Sequence, residues 1–206
     1  MNTPVPAETA RAIADVVLFF KTSFSVVMAL AITEAFKQSI ADRNRDGTIH
    51  WDTVPALIAF LALAFPFFQG MSRYLFATYG DIEGAPQPYS VHLMIDGVNF
   101  LAEAAVFFVM SRCLAAAQWR RFYHCILVMA AIDLAWTLVV GDPRDPHFKV
   151  WVYLDVGLAL AVTVLLLAYP RNGRALPASL LGMAVVLIRS VIDYSVLWDA
   201  YFPPLP

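Results

Sequence analysis

Apolar positions along the chain fall into six long blocks, roughly 12–40, 53–79, 89–117, 119–141, 150–169 and 176–200. About 20 apolar residues suffice for a helix to cross a hydrocarbon core roughly 30 Å thick, and each block reaches that length. Turn-forming or charged residues separate them: Asn44 to Gly47, Gly80 to Pro88, the Arg120–Arg121 pair, Gly141-Asp142-Pro143 with Asp145-Pro146, and Pro170 to Gly173. The pattern predicts an all-α polytopic membrane bundle of about six transmembrane helices, forming one integral membrane domain over residues 1–206. Short connections favour antiparallel neighbours.

One face of the third block is polar. His92, Asp96, Asn99 and Glu103 are spaced by four, three and four residues, so a helix points all four the same way. At 1.5 Å per residue the stripe covers about 16 Å, half of a hydrocarbon core. A carboxylate at that depth costs several kcal/mol unless it meets protein, water or a partner charge. The stripe must therefore face the bundle interior.

Composition sharpens this picture. Hydrophobic residues make up 60% of the 206 and charged residues 15%, with a mean hydropathy of +0.66. Soluble domains carry about 25% charged residues, so the expected surroundings are a lipid bilayer. The net charge of −2 and the lack of a basic cluster give no surface for nucleic acid. The first apolar run has little basic charge before it and contains Lys21, which reads as a retained first span rather than a cleaved signal. The only cysteines, Cys113 and Cys125, flank the third turn symmetrically. They are expected as reduced, packed thiols facing each other across a hairpin, and with His124 they match no zinc spacing.

Loop charge predicts orientation. The first, third and fifth connections carry eight basic residues: Lys37, Arg43, Arg45, Arg112, Arg120, Arg121, Arg171 and Arg174. The opposite side carries Arg11, Arg73, Arg144 and Lys149. The richer side belongs in the cytoplasm, which puts both termini outside, in a plasma membrane or bacterial inner membrane.

Ionisable groups recur in other blocks: Lys21, Glu34, Arg73, Asp133, Asp155, Arg189 and Asp193. With Asp96 and Glu103 they make six acids against three bases. Arg189 and Asp193, at i and i+4, are expected to pair, with Arg73 and Lys21 neutralising two more acids. The remaining carboxylates need a proton, water or a cation. The expected function is passage of a small cation or proton along His92, Asp96, Asn99, Glu103 and Asp133, with Glu34, Arg189 and Asp193 contributing. Pro66, near Gln69 and Gly70, is placed to kink the second helix and free backbone carbonyls into that interior. A homo-oligomer is compatible with this reading. A purely structural alternative has the same groups clamping helices, with Asp155 and Asp193 near enough to the interface for hydration. It describes a non-transporting sensor or assembly subunit.

Between the first two blocks, Asp42-Arg43-Asn44-Arg45-Asp46-Gly47-Thr48-Ile49 reads D-x-N-x-D-G-x-I. This stretch resembles the calcium loop of the EF-hand family, over this connection alone. The resemblance implies that Asp42, Asn44 and Asp46 supply side-chain oxygens and Thr48 a carbonyl. Gly47 would make the turn, and Ile49 fills the aliphatic place. The twelfth place, a bidentate acid in the family, is Thr53 here, with Asp52 one residue early. The alternative is a plain solvated turn. No nucleophile elbow, zinc-protease, phosphate-loop or dinucleotide motif is present in the chain. An intramembrane enzyme using His92, Asp96 and Glu103 is the third reading.

Overall fold

The computed structural model describes residues 7–40, 51–80, 89–114, 118–141, 146–169 and 175–202. They form α1 (Ala7–Ser39), α2 (Val54–Tyr79), α3 (Tyr89–Arg112), α4 (Trp119–Val140), α5 (Pro146–Ala168), α6 (Ala175–Val196) and the short α7 (Trp198–Tyr201). The first six are long and apolar enough to cross a membrane, and the described residues contain no strand. Large apolar side chains point outward, among them Phe19, Leu138 and Leu167, while Asp96 and Glu103 are fully buried. That inversion of the soluble pattern is what a lipid-facing exterior requires.

Local chemistry sets the helix ends. Pro55 and Pro146 stand at the starts of α2 and α5, where a missing N–H costs nothing. Arg120 donates from Nη1 to the Leu166 carbonyl at 2.9 Å and also to that of Tyr169, satisfying orphan carbonyls at the negative end of α5. The last apolar block is not one helix. It breaks at Leu197, and α7 turns Tyr201 back so that its carbonyl accepts from Gln69 Nε2 at 3.3 Å and Arg73 Nε at 3.2 Å.

Around the bundle the helices neighbour one another in the order α1, α3, α4, α5, α6, α2, which closes a ring. Four connections join neighbours as expected, but the one from α2 to α3 does not. Their backbones come close at few points, and they meet through side chains: Phe60 and Phe67 on Phe107, Tyr74 on Phe100 and Tyr79 on Asp96. α1 instead packs tightly on α3: a Cβ at Gly97 would fall 2.3 Å from the Phe20 ring. Glycine there lets the α1 and α3 backbones approach closely. Gly182 of α6 admits Tyr123 in the same way.

Pro66 lies inside α2 and has no N–H to offer the Ala62 carbonyl. Ser190 Oγ of α6 donates to that carbonyl at 2.7 Å. The freed carbonyl thus serves a contact between helices.

Candidate functional site

The stripe on α3 divides into two environments. Asp96 is fully buried and has both oxygens satisfied. Tyr79 O–H, from the end of α2, donates to Oδ2 at 2.6 Å, and Trp136 Nε1–H of α4 donates to Oδ1 at 2.7 Å. His92, one turn away, has a buried Nδ1 with no partner among the described residues.

Two turns further along, Glu103 meets different company. Asn99 Nδ2 donates to its Oε1 at 3.0 Å, and its buried Oε2 has no partner among the described residues. Asp155 of α5 and Asp133 of α4 lie within electrostatic reach of Glu103, and the Asp133 carboxyl is set against that of Asp155. Arg189 of α6 joins the group, donating to Asp193 Oδ2 at 2.6 Å and to Asp155 Oδ1 at 3.3 Å. Tyr201 O–H closes the far end on Asp193 Oδ1 at 3.1 Å. Burial, reinforced by the Asp193 charge, pushes the Tyr201 phenol above its ordinary range, so it remains a donor.

The result is three carboxyls, Asp133, Asp155 and Asp193, around one guanidinium, with Glu103 beside Asp133 and Asp155. Lys21 and Arg73 were expected to neutralise two acids. Both are exposed, and no ion pair joins either to a described acid. They face outward because their long stems reach toward the membrane interface. The interior is therefore more negative than the sequence count suggested. Asp155 and Asp193, read in the structural alternative as near enough to the interface for hydration, are only 3% and 1% exposed. The ring closure and the returning α7 cover them.

A cavity of about 60 Å³ lies against this group, lined by Asp133, Asp155, Arg189 and Asp193 with Tyr74 and Trp136. It has room for a few water molecules beside polar partners. Among the described residues no three His, Cys, Asp or Glu side chains converge as a metal-ligand set.

The other candidates fall elsewhere. Glu34 accepts from Gln38 Nε2 at 2.7 Å and lies 4.0 Å from Lys37 Nζ, both on its own helix. Asp42, Asn44, Asp46 and Thr48 lie outside the described residues. Asp52 is exposed, whereas Thr53 is buried and donates to the Ser39 carbonyl at 3.4 Å, so its hydroxyl faces the α1–α2 contact. Cys113 and Cys125 do meet across the α3–α4 hairpin, thiol to thiol, and both are free. Burial pushes the Cys113 thiol up, opposed by Cys125 and the nearby Arg121 and Arg112.

The sequence does not single out Tyr79, Trp136 and Tyr201 as partners of the acids, and it places Asp155 at the edge rather than the centre. A signal existed for Trp136: it follows Asp133 by three residues, and an indole N–H in an apolar block needs an acceptor. Tyr201 had none, because its position depends on the break at Leu197. The chain matches no protein-family model, and neither the curated proteins nor the solved structures show a significant relative.

Proposed function

We infer that this integral membrane protein handles protons through the Glu103–Asp133–Asp155–Asp193 group. The observation that carries the reading is three carboxyls, Asp133, Asp155 and Asp193, sharing one guanidinium, with Glu103 beside Asp133 and Asp155. A single Arg189 cannot balance them, and facing carboxyls such as Asp133 and Asp155 repel unless a proton or cation sits between them. No three acids converge as a metal-ligand set among the described residues, which favours a proton over a metal cation. The cavity beside Asp133, Asp155 and Asp193 supplies space for water to link those three, and Glu103 adjoins them through Asp133 and Asp155. Arg189 then holds Asp193 and Asp155 in place.

The test is proton flux in proteoliposomes, followed with an internal pH indicator under an imposed potential. Wild-type protein is expected to collapse the gradient. Glu103→Gln and Asp133→Asn are expected to reduce the rate at least ten-fold while the purified protein keeps its melting temperature. Unchanged flux in both variants would sink the proposal.

A second reading draws on the saturation of Asp96 by Tyr79 and Trp136, which is how a fixed clamp is built. A non-transporting sensor or assembly subunit would show no flux in any variant. Substitutions in the group would change oligomer size or detergent stability instead. Calcium binding at Asp42–Thr53 stands as a separate proposal, supported by residue order alone, with exposed Asp52 in place of Thr53 as the last ligand. Isothermal titration decides it: no heat at millimolar calcium removes the idea.

A further inference from the structure

Away from the carboxylates, α2 faces outward between α1 and α6, and a groove of about 600 Å³ runs along it. Its polar wall comprises Lys21, Gln69, Ser72, Arg73 and Tyr194, and among the described residues no acid lines it. Gln69 is committed, accepting from Tyr194 O–H at 3.2 Å and donating to Tyr201. Arg73 uses Nε on the Tyr201 carbonyl, which leaves both its Nη groups for a ligand. Lys21 has no ion pair with a described acid, and Ser72 Oγ is buried without a partner among the described residues.

Depth decides what fits. Lys21 precedes the end of α1 by 18 residues, and Arg73 follows the start of α2 by 19. At 1.5 Å per residue both lie about 27–29 Å from the 40–53 connection, close to a full hydrocarbon thickness. Both positions lie toward the opposite leaflet, and their long stems carry the two cations on to its headgroup level. Phe65, 57% exposed, and Phe68 line the same groove one to two turns deeper, at acyl-chain level.

We propose that this groove binds an anionic phospholipid, its phosphate held by Lys21 and Arg73 with Ser72 donating, and its acyl chain lying along Phe65 and Phe68. A zwitterionic choline headgroup fits poorly, because its own cation meets two others. Basic pockets between spanning helices attract anionic headgroups through this balance of charge and depth.

The experiment is native mass spectrometry of the full chain in detergent, titrated separately with phosphatidylglycerol, phosphatidylcholine and inorganic phosphate. Phosphatidylglycerol should be retained in preference to phosphatidylcholine. Lys21→Gln and Arg73→Gln should each weaken retention about five-fold, and together about twenty-five-fold. Lys21→Arg and Arg73→Lys keep the charge and should keep the lipid, which separates headgroup binding from damage to the fold. Equal retention of both lipids, or phosphatidylglycerol retained by the double Gln variant, would overturn the proposal. Inorganic phosphate that displaces phosphatidylglycerol at equal concentration would assign the groove to a soluble anion and overturn it too.

Discussion

Asp96 and Glu103 share one helix face two turns apart, yet their surroundings ask different things of them. Asp96 accepts from Tyr79 and Trp136, and an amide in its place has one oxygen for two donors. Asp96→Asn is therefore expected to cost about 1–3 kcal/mol by stranding a buried donor, measured by denaturant unfolding in detergent. Glu103→Gln keeps the acceptor for Asn99 and should leave stability nearly unchanged. A cost for Glu103→Gln equal to that for Asp96→Asn would contradict this division. The stripe itself was legible, because helical spacing alone puts these residues on one face. Its division was not, since the donors to Asp96 come from the end of α2 and from α4, far away in sequence.

At the scale of helices, Pro66 and Ser190 form a compensating pair. Ser190→Ala should cost about 1 kcal/mol, in the range of hydrogen bonds between membrane helices. In a Pro66→Ala background the cost should shrink, because the restored N–H reaches the Ala62 carbonyl within α2. A double-mutant cycle on unfolding free energies checks the coupling, and additive effects would count against it. Gly97→Ala should destabilise the α1–α3 contact by about 1–3 kcal/mol, as overpacking does, with Phe20→Ala relieving part of the loss. The spans were readable from apolar length, and Pro66 marked a weak point in α2. The partner that answers it was not readable, because no local pattern ties Ser190 to Ala62 across 128 residues.

For the whole molecule, six spans place the segments before α1 and after α7 on the same side of the membrane. Loop charge predicts the non-cytoplasmic side. A reporter active only outside the cytoplasm should therefore work when inserted at either place, and activity at the 112–118 connection instead would reverse the orientation. Arg120 carries part of that charge signal and also binds the end of α5, so replacing it tests topology and stability together. The ring order has a functional consequence as well. Because α5 and α6 close beside α3 and α4, acids of these helices come within electrostatic reach of one another, and α7 brings Tyr201 onto Asp193.

The sequence by itself determined the membrane-spanning class, the number of spans and the helix face on which the third span carries its polar groups. These follow from apolar length and a 3.6-residue period, which act within a single segment. Tertiary structure decided that α1 rather than α2 packs most closely on α3, that Asp155 is buried beside Asp133 and Glu103, and that Lys21 and Arg73 face outward. Such outcomes depend on how closely helix backbones approach and which side chains fill the space, as glycine at Gly97 and Gly182 shows. The charge balance of the interior is a property of that packing. Counting acids and bases along the chain could not supply it.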